Sequence, residues 1–361
     1  MSSIQDVLKN LIAQQGPLSL YDYIKQSLYH PVHGYYMKQS PLGAKGDFIT
    51  APEISQMFGE LLGLWLLNQW DLMKQPAKIS LIELGPGKGT LLKDILRACQ
   101  IRPAFSQALD LHLVEISPFL TTLQKETLKH PLMTWHTSLA SALKASQGHP
   151  LFFIANEFFD ALPIQQFMKT DQGWVEKHVT FNPLKQTFEF CFPQGLSFKS
   201  LPLQAQEIAL LAPDTTVIEI SPDAPDILKL LADSLAKRRG AGLIIDYGYS
   251  DNVSGDTFQA LKNHHYHDPL QEPGSADLTA HVNFSILQRE AVKFENIQID
   301  FIIQGDFLKK LSLTLRAEQL KKQATPEQKT KIDRDVHRLI HPQEMGHLFK
   351  VMALYNHGDP L

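Results

Sequence analysis

The sequence predicts an α/β fold: a Rossmann-like parallel sheet, an N-terminal helical region and an inserted, strand-rich substrate region. Three observations predict it. From residue 78 onward, short apolar runs alternate with stretches of helical period. One run, Leu151–Ala155 (LFFIA), is purely apolar, as a strand covered on both faces must be. A glycine cluster, Gly85-Pro86-Gly87-Lys88-Gly89, stands between an apolar run and a helical stretch.

The elements follow in order. Ile4–Gln14 places Ile4, Val7, Leu8, Leu11 and Ile12 at helical spacing, and Gly16-Pro17 stops it. Tyr21–Leu28 is a second short helix, closed by His30-Pro31. The segment HGYYMKQSPLGAKGDFITAPEIS reads as an ordered loop, and Ile54–Trp70 as a buried helix, apolar on nearly every face. Strands follow at Ile79–Leu84, Asp110–Ile116, Met133–Trp135 and Leu151–Ala155, with helices at Thr90–Ala98 and Pro118–Leu128. Gln166–Phe192 reads as antiparallel strands turning at Asp171-Gln172-Gly173 and Asn182-Pro183. A helix near Pro225–Lys237 precedes the very apolar strand Gly242–Asp246. A His- and Gly-rich loop spans about 255–283, followed by a strand at Gln298–Ile303, a charged helical stretch at Leu308–Gln323 and a final strand at Leu348–Tyr355. The charge run Lys321–Arg338 is a solvated helix face. These elements set four regions: 1–53 as N-terminal helices and lid loop, 54–163 as the first part of the core, 164–215 as the insertion, and 216–361 as the remainder with substrate loops and C-terminal strands.

Composition narrows the class. With 34 Lys and Arg against 38 Asp and Glu, the 361-residue chain carries a net charge of −4, which argues against nucleic acid as a partner. Two cysteines, Cys99 and Cys191, exclude a disulfide scaffold and any Cys-based zinc site. Their sparing use and an N-terminus without a leader pattern give a cytoplasmic expectation. The longest apolar run, around Leu61–Leu67, is too short to span a membrane. Oligomeric state has no signal in the sequence.

The glycine cluster carries the strongest chemistry. A dinucleotide site needs G-x-G-x-x-G, with a helix N-terminus facing the pyrophosphate. Here Gly85, Gly87 and Gly89 give G-x-G-x-G, followed by Thr90. Glu83, near the end of the preceding strand, is a poor neighbour for pyrophosphate and a good one for a cation. S-adenosylmethionine (SAM) is such a ligand, with a sulfonium and an ammonium and no phosphate. Glu115 ends the next strand, where a carboxylate can accept both ribose hydroxyls.

Asn156-Glu157-Phe158-Phe159-Asp160-Ala161-Leu162-Pro163 follows the LFFIA strand directly. Carboxyl ends of strands face the ligand crevice in open α/β sheets. Two carboxylates there suit a guanidinium acceptor, which they bind bidentately and hold in one orientation. Glu157 takes the leading acceptor-orienting role, and Asp160 a supporting or packing role. The block is not the Asp/Asn-Pro-Pro-Tyr pattern of DNA base methylation.

These residues resemble the MidA-like family of class I SAM-dependent methyltransferases, which includes a mitochondrial protein arginine methyltransferase needed for respiratory complex I assembly. The resemblance covers nearly the whole chain, through GPLSLYDYIKQSLYHPVHGYY, KGDFITAPEISQMFGELLGLW, IELGPGKGTLL, LVEISPFL, ANEFFDALPIQQF, GLIIDYGY, DPLQEPGSADLTAHVNFS and MGHLFKVMAL. It implies a class I methyltransferase core and SAM bound by Gly85, Gly87 and Gly89, with Glu83 and Glu115 as polar anchors and Asn156 beside them. It implies that Asp47, Thr50 and Glu53 lie in a lid folding over cofactor and substrate, and that Ser138 contacts the adenine. It also implies a protein substrate, methylated at arginine, with a respiratory-complex subunit as the acceptor. Asn283 departs from the Asp expected there.

Several residues keep two readings. Tyr247 lines the acceptor pocket or belongs to the core. His281, with Asp277, reaches the cleft or is structural. His264, His265 and His267 lack metal-ligand spacing, so no metal is expected. The activity also has a rival: a non-catalytic assembly chaperone that retains a SAM-binding fold.

Overall fold

The computed structural model describes residues 3–38, 50–130, 133–193, 195–250 and 255–358. It forms two compact units, each discontinuous in sequence. One comprises Met1–Phe48, Asp160–Asp226 and Tyr249–Leu287; the other comprises Ile49–Phe159, Ile227–Gly248 and Gln288–Leu361.

The second unit holds the main sheet. Its strands are β1 (Ile79–Leu84), β2 (Leu109–Val114), β3 (Met133–His136), β4 (Leu151–Asn156), β5 (Gly240–Tyr249), β6 (Gln298–Ile303) and β7 (Phe349–Asn356). They run in the order β6-β7-β5-β4-β1-β2-β3. β1 pairs in parallel with β2 and β4, β2 with β3, and β4 with β5. β7 alone runs against its neighbours β5 and β6. The parallel part turns back on itself at β1, so the carboxyl ends of β1, β2 and β4 share one crevice. β1 and the first five residues of β4 are buried throughout; those of β4 form an unbroken apolar run, while β1 also buries Ser80 and Glu83.

The helix expected from Ile54 begins instead at Gln56. Ser55 is extended, at φ −153°, and its hydroxyl accepts Met57 N–H, so a separate four-residue helix, Ala51–Ile54, precedes the long one, Gln56–Leu72. The long helix lies close against Thr90–Cys99. A Cβ on Gly59 would stand 2.6 Å from Asp94 Cβ, so the crossing requires glycine there. Glu60, buried in the same helix, accepts from Arg97 at 2.9 Å and Arg316 at 2.8 Å.

The first unit is built from small antiparallel sheets. Leu18–Ser19, His178–Asn182 and Thr187–Cys191 form one; Gly195–Leu196, Gly173–Glu176, Gln165–Thr170 and Val217–Ile220 form another. The helices Ile4–Gln15 and Leu20–Tyr29 bury Leu8, Leu20, Tyr23 and Leu28 in a core shared with Val179 and Leu278.

The stretch expected as a loop over 255–283 contains a third sheet: Gln259–Lys262, His265–His267 and Asp277–Thr279. Its hairpin turns on Asn263 and His264, at φ 51° and 64°. Tight hairpins favour such left-handed pairs, usually with a glycine that this sequence lacks.

Candidate active site

The glycine loop connects β1 to the helix Thr90–Cys99. Gly85, Gly87 and Gly89 have φ of 61°, 53° and 80°, a region that side chains enter only with strain. Gly85 N–H donates to Val114 O, and Gly89 N–H to Pro86 O. A Cβ on Gly85 would stand 3.0 Å from the Phe158 ring, and one on Gly89 2.9 Å from Leu128 Cδ1. Close packing at Gly85 and Gly89, and the positive φ of all three, therefore favour glycine here.

Glu83 is 4% exposed, and burial pushes its carboxyl up to about 8. Its Oε2 has no hydrogen-bond partner among the described residues, and neither does the buried Oδ1 of Asn156. β1 pairs with β4 through Leu84 and Ala155, so both acceptors stand at the carboxyl ends of neighbouring strands. A pair of buried, unsatisfied acceptors is costly unless a donor completes it, and a cationic ammonium is such a donor. The glycine loop and these acceptors fit the amino acid end of SAM.

Glu115 is held differently. Its Oε1 accepts Ser117 N–H at 2.8 Å, and its Oε2 accepts Gln124 Nε2–H at 3.0 Å. Burial raises its pKa, and these two donors push back. Sequence reasoning missed Gln124. It is fully buried on the helix Pro118–Thr127, donates also to Gly87 O at 2.7 Å, and accepts Trp135 Nε1–H at 2.9 Å. One amide thus ties the glycine loop, Glu115 and β3 together. The signal was a glutamine four residues after buried Leu120, on the core face of the helix.

Glu157 follows β4 at φ 50°, a strained conformation for a residue with a Cβ. Its N–H donates to Ile245 O, and its Oε1 accepts from Ala51 N–H at 3.0 Å and Asn156 Nδ2 at 3.2 Å. The turn after it is fixed by Asp246, which sequence reasoning also passed over. Asp246, fully buried, accepts Phe159 N–H at 3.0 Å and Tyr247 N–H at 2.9 Å. Thr50 caps the helix Ala51–Ile54 through its backbone only, and Glu53 accepts the Thr90 hydroxyl proton at 2.5 Å. Asp47 lies outside the described residues.

The remaining expected residues have these surroundings. Ser138 is exposed and caps the helix Leu139–Ala145, accepting Ser141 N–H. Tyr247 is 3% exposed and packs edge-on against Phe349, which makes it a core residue. Asp160 belongs to the first unit, where it is buried and its carbonyl accepts Ala280 N–H. There Asp277, also buried, accepts the Tyr36 hydroxyl proton at 2.7 Å, and His281 N–H donates to Thr257 Oγ1. His265 and His267 contact the backbone carbonyls of Asn263 and Gln271. Among the described residues, no group of three or more His, Cys, Asp or Glu is arranged to hold a metal ion, and no helix is long and apolar enough to cross a membrane.

A model of a family of S-adenosyl-L-methionine-dependent methyltransferases matches residues 61–301. The chain is 37% identical to the mitochondrial protein arginine methyltransferase NDUFAF7 of Danio rerio, over 98% of this chain and 87% of that one. To the Homo sapiens protein of the same name it is 36% identical, over 96% and 82%. Among solved structures it resembles a COG1565 superfamily member from Burkholderia thailandensis bound to S-adenosyl-homocysteine. That likeness has a TM-score of 0.83 and 26% identity, over 99% of this chain and 92% of that one. The relatives are mitochondrial by name, which overturns the cytoplasmic placement expected from the sequence. Sparing cysteine use reports redox conditions and not an address.

Proposed function

The chain belongs to the MidA-like family of S-adenosyl-L-methionine-dependent methyltransferases, and on that premise we propose that it methylates an arginine side chain of a protein partner, with Glu157 orienting the acceptor. SAM is the cofactor, and when bound it supplies an electrophilic methyl group. The observation that carries the reading is the pair of buried acceptors, Glu83 Oε2 and Asn156 Oδ1, beside a glycine loop held at positive φ. Glu83 and Asn156 would hold the ammonium, Gly85, Gly87 and Gly89 would admit the chain of the cofactor, and Glu115 would take the ribose hydroxyls.

Glu157 directly follows Asn156, so acceptor and cofactor groups come from one strand end. A carboxylate binds two guanidinium nitrogens at once and localises positive charge on them. The third nitrogen keeps more of its lone pair and faces one direction. Orientation at near-contact distance supplies much of the catalysis in such a displacement. The relatives named as protein arginine methyltransferases support an arginine acceptor on a protein. By family resemblance, a respiratory-complex subunit is the first acceptor to test.

The test is isothermal calorimetry with SAM, followed by mass spectrometry of respiratory complex I subunits incubated with enzyme and SAM. Expected are saturable binding and a mass gain of one methylene on an arginine, absent with Glu157→Ala. No binding by the wild-type chain at millimolar SAM would sink the cofactor assignment.

A further inference from the structure

The short helix Ala51–Ile54 is engaged from both sides by side chains of the same unit. At its start, Ala51 N–H donates to Glu157 Oε1 at 3.0 Å. From its first turn, Glu53 reaches the other way and accepts the hydroxyl proton of Thr90 at 2.5 Å. Thr90 is the first residue of the helix that follows Gly89. One four-residue element therefore touches both the end of the glycine loop and the carboxylate read as orienting the acceptor.

A helix this short does not hold itself. A single turn fixes several dihedrals for very few internal bonds, so its geometry must come from outside. Its own ladder is Glu53 N–H and Ile54 N–H to Thr50 O, with Ser55 N–H to Ala51 O. Pro52 fixes one φ, and Ala51, Pro52 and Ile54 are buried. Glu53 is the side chain of this turn that reaches the glycine loop. Glu157 needs outside support as well, because its backbone sits at φ 50°.

We propose that Glu53 is a positioning residue for methyl transfer: through Thr90 it fixes the helix that delivers Ala51 N–H to Glu157. The register between the cofactor loop and the acceptor carboxylate is then set by one rigid strut. This rests on the reading of Glu157 as the acceptor-orienting group.

The experiment uses the full chain and two readouts. The first is amide hydrogen exchange over residues 50–55, which needs no acceptor. Thr90→Val and Glu53→Leu raise exchange at Ala51 by about tenfold or more, and Thr90→Ser and Glu53→Gln, which keep a hydroxyl and an acceptor oxygen, restore protection. The second is transfer of tritiated methyl from SAM to solubilised complex I subunits. In the first two variants kcat falls by about tenfold or more while the SAM Kd stays within about threefold, and the loss does not multiply with that of Glu157→Gln. Unchanged exchange in both variants overturns the inference, as does a kcat loss that multiplies with Glu157→Gln. If the wild-type chain transfers no methyl, the functional reading fails, while the exchange readout still decides whether Glu53 and Thr90 hold the strut.

Discussion

Glu83 Oε2 and Asn156 Oδ1 are buried acceptors without hydrogen-bond partners among the described residues, and they stand at the ends of adjacent parallel strands. The carboxyl of Glu83 is pushed up to about 8 by burial, from an ordinary value of 4.5. From about 4.5 to about 8 the unfolded chain has released a proton that the folded chain keeps. The sign follows: Glu83 makes the cofactor-free protein less stable as pH rises through that window.

A cationic ligand paired with Glu83 expels that proton. SAM binding at pH 7 is expected to release it, so calorimetric heats differ between buffers of different ionisation enthalpy. In Glu83→Gln the release disappears and affinity drops by roughly 10-fold to 100-fold, the loss of one charge-assisted hydrogen bond. Identical heats in all buffers with the wild-type chain would remove Glu83 from the ammonium site.

Gly87→Val puts a β-branched side chain at φ 53°. Strain of about 1–3 kcal/mol at that position reshapes the loop, and the side chain occupies the face that must stay bare. SAM binding is expected to vanish while circular dichroism retains the wild-type helix signal. Retained binding would show that the loop backbone does not approach the cofactor.

Gln124→Leu removes three hydrogen bonds at once, leaving Gly87 O, Trp135 Nε1 and one oxygen of Glu115 to find other partners. The expected loss of stability is about 1–3 kcal/mol per buried group left unpaired, read from a urea titration. SAM affinity falls by about tenfold because Glu115 and the glycine loop lose their common tie. A variant as stable as wild type would mean the network is replaced by water.

Glu157→Gln keeps the size of the side chain and removes its charge. SAM Kd is expected to stay within about threefold, and kcat to fall by about 100-fold or more, since the acceptor is no longer held with its charge localised. Wild-type turnover by this variant would refute the acceptor-orienting role.

The residues differ in how far the sequence disclosed them. The LFFIA strand and the glycine loop were legible, because a doubly covered strand is mostly apolar and a left-handed turn favours glycine. Glu83 and Glu115 were legible as strand-end acids. Gln124 was hidden by its type, since a glutamine at a core position of a helix looks like a break in the pattern until its three partners are known. Asp246 closes the strand expected over Gly242–Asp246, but nothing in the sequence directs it to Phe159 N–H, which the pairing of β5 with β4 brings near. The hairpin at Asn263 and His264 escaped notice because its turn lacks a glycine. Ser138 stands after β3 as the resemblance implies, and its hydroxyl caps the helix Leu139–Ala145.

β7, Phe349–Asn356, comes latest in sequence of the described strands, yet it lies inside the sheet, between β5 and β6. During synthesis, β5 and β6 emerge long before the strand that joins them. Until then β5 shows the ribosome exit and its surroundings an unpaired edge, open to pairing with another chain. Closing the sheet brings Gly240 opposite Asn356, across most of the C-terminal third of the sequence. Such distant pairing is slow to form. The unit therefore finishes folding only after translation reaches β7, and until then the open edge of β5 is exposed to aggregation.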